Sequence, residues 1–117
     1  MALSREQFLS KRPRVVEFEI PAWGESVFIK ILSVSEREGL TEKYTSPEWA
    51  NRIVMTDFVT QTVCDANGNR LFTASDVDAI KEQDADVIRS IYDKAMSVNS
   101  FGPKAVDDSK NGSPPTP

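Results

Sequence analysis

The amino-acid sequence predicts an α+β fold, mostly α, in which an N-terminal β-hairpin packs on a small helical bundle. One observation is a pair of alternating apolar runs near the N-terminus, which is typical of two short strands. Another is the helical spacing of apolar residues through most of 35–99. Because the region 102–117 combines glycine and proline with few apolar side chains, we expect one domain over 1–101 and a disordered tail or linker over 102–117.

The first elements expected along the chain are a short helix and the hairpin. A capping box at 4–7 starts a helix that should end near Arg12, because Pro13 disfavours helical backbone in the residue before it. Residues 15–20 and 27–32 then alternate in strand fashion around a turn that contains proline and glycine. A lone hairpin is marginally stable in water, so its apolar face must pack on helices or on the sheet of another copy.

Four helices are predicted after the hairpin, at about 35–44, 47–64, 73–82 and 84–99. An Asn-Gly turn at 65–69 separates the second helix from the third, with short strands possible on either side of it. The apolar surface of the 47–64 helix is too wide for a one-sided helix. This width indicates either a central helix or a second face committed to a partner.

Composition argues against several function classes. The net charge of -4 and the pI near 4.8 argue against nucleic acid as the main partner, because phosphate binding needs a clustered excess of basic residues. The absence of histidine removes the commonest general base and metal ligand, so we expect no catalytic residues and no cofactor. We also expect no membrane partner and a cytosolic location, since no apolar run has the length of a membrane span or a signal peptide.

One local exception to the acidic balance is a basic patch before the first strand, which we interpret as a solvated arm. It consists of Arg5, Lys11, Arg12 and Arg14.

The segment 65–76 imitates a twelve-residue calcium-binding loop. Arg70 stands where such loops need glycine for a sharp turn, and Asp76 replaces the longer, bidentate glutamate at the last position. We therefore favour a hairpin turn followed by a capped helix and predict no metal site. The acids within 76–86 are interpreted as solvated residues at helix starts, and Cys64 as a small buried side chain that no histidine can activate.

The positive expectation is a protein that binds other proteins. Trp23 lies at the predicted hairpin tip, where a role in the core is hard to arrange, and exposed tryptophans favour interfaces. The helix at 47–64 either uses its apolar excess to bind a partner or forms the core of the domain. The candidate partner-binding residues on these two elements are Trp23, Phe28, Trp49, Ile53 and Phe58.

Three segments, in this order and spacing, resemble the tail assembly chaperones of long-tailed, siphovirus-type bacteriophages. The first is the end of the hairpin and the following helix start, at 31–38. The second is 58–73, where an apolar helix runs into an Asp/Asn/Gly turn and Leu-Phe-Thr. The third is 76–80 followed by 88–99, so that the resemblance covers about residues 10 to 100.

This resemblance implies a function in virus assembly. Such chaperones bind the long, aggregation-prone tape measure protein and assist the tail tube protein to polymerise around it in the host cytoplasm, and they are absent from the virion. Family members tend to self-associate, and many are also made in a longer form by a programmed ribosomal frameshift. The family has no catalytic residues to transfer to this sequence.

Two alternatives stay open at this point. The main one is a structural protein of the phage, such as a minor tail or head-tail connector subunit, which purified virions would contain. A calcium-binding module would use the loop at 65–76 despite its two defects.

Overall fold

The computed structural model describes residues 2–100; Met1 and 101–117, including the expected tail at 102–117, lie outside the described residues. Two short 3₁₀ turns, Pro47–Trp49 and Ala74–Asp76, accompany the longer elements. Within residues 2–100 these are α1 (Arg5–Leu9), β1 (Val15–Ile20), β2 (Glu25–Lys30), α2 (Val34–Tyr44), α3 (Met55–Thr62), β3 (Val63–Cys64), α4 (Val77–Lys81) and α5 (Ala85–Val98). The predicted class, α+β and mostly helical, is confirmed.

The strands form one antiparallel sheet in the order β1-β2-β3. Val16 lies opposite Ile29, and Phe18 opposite Val27, so one face of the predicted hairpin is apolar along its length. Ile29 also pairs with Val63, which continues the same apolar row into β3. This inner face packs against the helices, because Ile29 and Val63 are buried in the core.

The outer face of the sheet is partly covered by the turn at 65–70. Phe28 pairs with Cys64 on this face, and Cys64 is buried even though it points away from the main core. Gly68 adopts a positive φ of 87° and would place a Cβ 3.7 Å from Val15, so the turn lies against the first strand. The left-handed conformation that glycine allows therefore lets the chain fold back over the thiol.

The third helix, α3, crosses the middle of the domain. Phe58 and Val59 are buried in the core, and Thr60 and Thr62 are buried beside them. Each threonine hydroxyl donates a hydrogen bond to the carbonyl four residues earlier, so neither is left unpaired. This part of the chain is the central helix that the sequence allowed.

The prediction of one continuous helix over 47–64 is wrong. The segment begins with the 3₁₀ turn, bends through 50–54, continues as α3 and ends in strand β3. The reason lies in Tyr44 at the end of α2. Its ring packs on Trp49 with centroids 5.6 Å apart, and its hydroxyl donates to Asp57 at 2.6 Å.

A straight helix cannot provide both contacts. Trp49 and Asp57 would be about 12 Å apart along its axis, since each residue adds about 1.5 Å. Lys43 strengthens the second contact, because its ammonium group lies 2.9 Å from the Asp57 carboxylate. Asn51 and Ile53 are weak helix formers, so little local preference opposes the bend.

The other helices lie close to their predicted positions. α2 is preceded by a capping box between Ser33 and Glu36, and α5 is capped by Asp84, whose side chain accepts two backbone hydrogen bonds. α1 is shorter than expected and ends at Leu9. None of the helices in residues 2–100 combines the length and the apolar character needed to cross a membrane.

Asn99, directly after α5, joins this helix to the end of the sheet. Its Nδ2 donates to the carbonyls of Lys30 and Ala95 at 3.2 and 3.0 Å, and its Oδ1 accepts from Leu32 N at 2.8 Å. The residue is only 5% exposed. One side chain thus pairs Leu32 N and Lys30 O and adds a second hydrogen bond to Ala95 O, which also accepts from Asn99 N.

We expect Asn99→Asp to lower the free energy of unfolding by about 3 kcal/mol at neutral pH. The new carboxylate oxygen would face two carbonyls without a hydrogen to donate. Burial would raise the pKa of the aspartate, so the loss should be smaller in mild acid, where a protonated carboxyl donates again. Urea unfolding across pH measures this, and exposed Asn51→Asp is the matched control. Equal stability of both variants would contradict the role assigned to Asn99.

Candidate protein-binding cleft

Trp23 projects from the tip of the hairpin. The amides of Trp23 and Gly24 both donate to the carbonyl of Ile20, at 3.1 and 2.9 Å, which closes the turn tightly. Gly24 takes a positive φ of 65°, a conformation that glycine adopts without strain. The indole therefore projects from a hydrogen-bonded turn, and 43% of the residue is exposed.

An apolar cleft of about 220 Å³ lies beside Trp23. The sheet, α3, α4, α5 and the loop before α4 all contribute to its walls. Its apolar lining includes Trp23, Val27, Val59, Leu71, Phe72, Ile80, Ile88 and Ile91. Leu71 is 53% exposed, so two large apolar side chains, Trp23 and Leu71, are partly open to solvent at this cleft.

The volume of the apolar cleft indicates the kind of ligand that fits it. Small-molecule sites usually enclose about 300–1,000 Å³ and bury most of their ligand. A smaller, open cleft flanked by tryptophan and leucine instead suits one or two anchoring side chains from another protein. Asp76 and Gln83 supply polar groups beside the otherwise apolar lining.

The segment 76–86, which we call the acidic wall, runs along one side of the cleft. It contains α4 and the first turn of α5, and Asp76 and Ile80 from it line the cleft. The acidic wall carries five carboxylates and a single basic residue, Lys81. The carboxylates are Asp76, Asp78, Glu82, Asp84 and Asp86. Of these carboxylates Asp76 lines the cleft itself, so a partner that places apolar anchors there meets one carboxylate directly and the negative field of the other four from outside the lining.

Trp49 and Ile53 line a different depression. It is broader, about 1,000 Å³, and its lining is a mixture of charged, polar and apolar residues. Trp49 is half-buried, with Lys43 Nζ 4.9 Å and the Arg52 guanidinium 5.3 Å from its ring centroid. Ile53, at 84% exposure, is the most open of the large apolar residues in 2–100. These two candidates therefore lie together, but they do not line the cleft beside Trp23.

The structure separates the remaining two candidates. Phe28 is half-buried on the outer face of the sheet and does not line either depression. The structure corrects the assignment of Phe58 as a partner-binding residue. Its ring packs in the core against Tyr44 and Tyr92 and presents no surface to a partner in this conformation. Its apolar spacing gave no means to distinguish a buried helix face from a binding face.

Sequence reasoning missed Leu71 and Phe72 as residues of the cleft. They follow the Asn-Gly turn and were expected only as a short strand. The structure shows an isolated bridge between Arg70 and Cys64 rather than a full strand, and Leu71 N donates to the carbonyl of Val63 at 3.2 Å. The signal in the sequence was an adjacent pair of large apolar residues in a segment with few helical neighbours.

The loop that imitates a calcium site uses its first acid for another purpose. Asp65 Oδ1 accepts from the amides of Asn67 and Asn69 at 2.8 and 3.0 Å, so the carboxylate fastens its own turn. These hydrogen bonds lower the pKa of Asp65, and the bond from the Asn69 amide has the largest effect. No group of three or more acidic, cysteine or histidine side chains within 2–100 is arranged to hold a metal ion.

Cys64 is not placed for nucleophilic chemistry. Burial raises the pKa of its thiol, which favours the neutral form over the reactive thiolate. Lys30 lowers the pKa of Cys64 but does not compensate for burial. The interpretation of Cys64 as a small buried side chain agrees with its position under the turn.

No protein-family model, curated protein or solved structure matches this chain. The cleft and its two partly open side chains therefore have to be interpreted from their own geometry and chemistry.

We expect calcium at millimolar concentration to leave the thermal midpoint unchanged, whereas Asp65→Ala should lower it. Asp65→Asn is the matched control, because its Oδ1 still accepts from both amides. The folded-state pKa lies below the ordinary 3.8, so the contribution of Asp65 is present at neutral pH and lost as pH falls through that lowered value. Calorimetry that detects calcium binding abolished by Asp65→Ala would contradict this assignment.

Proposed function

We propose that this protein is a tail assembly chaperone of a long-tailed bacteriophage, which binds the tape measure protein and assists polymerisation of the tail tube protein. The family resemblance over residues 10 to 100 supplies the biological role. The single structural observation that carries the binding part is the apolar cleft between Trp23 and Leu71.

The shape of the cleft favours a helical client. A long helix presents apolar side chains at intervals of three or four residues, and one or two of these can enter a shallow apolar depression. The rest of the helix then lies over Trp23 and Leu71, which supply large apolar contact area. Bound in this way, a client segment is prevented from associating with other unassembled copies.

The acidic wall adds a preference among client segments. We expect segments with lysine or arginine next to their apolar anchors to bind best, because their charge is opposite to that of 76–86. Ionic strength should then affect the association rate more than it affects the apolar contact itself.

The same proposal includes the other properties of the family. The protein acts in the host cytoplasm, self-associates, is absent from the finished virion, and has a longer frameshifted form. A slippery heptanucleotide near the codons for 102–117, and a very long helical protein encoded just downstream, would support it. If purified virions contain the protein, the alternative of a minor tail or connector subunit is correct instead.

The test is co-expression with the long helical protein encoded downstream, followed by measurement of its solubility and affinity. Trp23→Ser and Leu71→Ser should each weaken binding about tenfold or more, because each removes an apolar contact at the centre of the interface. The client should then return to the insoluble fraction.

Two controls locate the interface. Val34→Ser removes an exposed apolar residue from α2, which does not line the cleft, and should leave binding unchanged. Ile53→Ser tests the broader depression around Trp49. If Ile53→Ser abolishes client binding and Trp23→Ser does not, the binding site is in that depression and the cleft is excluded.

A further inference from the structure

The segment 2–14, which we call the arm, is exposed at every residue. It contains α1, in which the Ser4 side chain and backbone form a closed capping box with Gln7. A five-residue helix is marginal by itself in water, because the nucleation cost is shared over very few hydrogen bonds. Such a helix is stabilised when its apolar side chains pack against another surface.

The arm has apolar side chains for this purpose. Phe8 is 68% exposed, and Leu3 and Leu9 are also open to solvent. Leu3 and Phe8 occupy the positions immediately before the cap and four residues after it, which lie on one side of a helix start. The capping box therefore fixes an apolar surface that nothing in residues 15–100 buries.

The charge of the arm is opposite to that of the acidic wall. The arm carries four basic side chains, Arg5, Lys11, Arg12 and Arg14, against the single acid Glu6. The acidic wall at 76–86 has five carboxylates and one lysine. The arm and the acidic wall both combine apolar side chains with a strong local charge, and these charges have opposite sign. The two segments are therefore electrostatically complementary.

We propose that the arm of one copy of this chain docks in the apolar cleft of a second copy. Phe8 and Leu9 pack against Trp23 and Leu71, and the basic residues of the arm face the acidic wall. Exchange in both directions gives a symmetric dimer in which each copy supplies one arm and one cleft.

The path of the chain favours a second copy over the arm's own cleft. The arm joins β1 at Val15, which pairs with Lys30 at the end of the hairpin farthest from Trp23. To reach its own cleft the arm would have to reverse direction and run back along roughly 20 Å of sheet. Pro13 opposes a tight reversal there, because it favours extended backbone at the preceding residue.

The inference concerns the cleft of the proposed function, but its test needs only the purified chain. Light scattering is measured at about 100 μM, a concentration that populates complexes of micromolar affinity. The samples are the wild type, an arm variant with Phe8→Ser and Leu9→Ser, and a cleft variant with Trp23→Ser and Leu71→Ser. We expect the wild type to have at least twice the monomer mass and both variants to be monomers. All four substituted residues are exposed, and circular dichroism confirms that each variant is folded.

Mixing the two variants provides the decisive measurement. The arm variant retains an intact cleft and the cleft variant retains an intact arm, so the mixture should recover a dimer with one docked arm. A synthetic peptide of residues 2–14 should bind the arm variant at least tenfold more tightly than it binds the cleft variant. Val34→Ser should behave as the wild type in every assay.

Two results would overturn the proposal. One is a monomeric wild type at this concentration. The other is an oligomer that persists in the arm variant, which would assign association to another surface, such as the edge of β1. Neither result bears on the client, because loss of client binding with Trp23→Ser is measured separately from oligomer mass.

Discussion

The side chain of Asn99 hydrogen-bonds both to the backbone that leaves strand β2 and to the last turn of helix α5. The ladder with β1 continues as far as Ile31, whose amide donates to Arg14 O, and α2 starts at Val34, so Leu32 N needs a partner outside the sheet. The amide of Asn99 accepts from Leu32 N and donates to Lys30 O, while its second hydrogen stays with the carbonyl of Ala95 in α5. The helix end and the sheet end are thereby held in one position relative to each other.

The location of the cleft follows from that attachment. α5 has 14 residues and spans about 21 Å, which is close to the roughly 20 Å of the six-residue strands. With its last turn fixed at the end of β2, its first turns lie toward the hairpin tip. Ile88 and Ile91 therefore come to the same region as Trp23 and Leu71, where the short α4 leaves the apolar cleft open.

Local sequence signals were sufficient to predict most helices and strands, but not the bends and contacts that connect them. The capping box at Ser4 and the alternation around Phe18 predicted a helix and a strand that the structure contains. The bend at 50–54 could not be predicted, because it depends on Tyr44 contacting Trp49 and Asp57 together. Such contacts arise between distant segments, and periodicity carries no information about them. For the same reason Phe58 was named as a candidate partner-binding residue, and Leu71 was not.

Cys64 gives this chain a built-in reporter of local opening. It is the single thiol in the sequence, and it is sealed between Phe28 and the turn at 65–70. A thiol reagent can reach it only when that turn lifts from the sheet, so the rate of modification measures an opening equilibrium of the native state. Because the turn continues directly into Leu71 and Phe72, the same rate reports how rigidly one wall of the cleft is held. A ligand that binds the cleft and holds Leu71 and Phe72 in place would therefore slow the modification of Cys64 without contacting its sulfur atom.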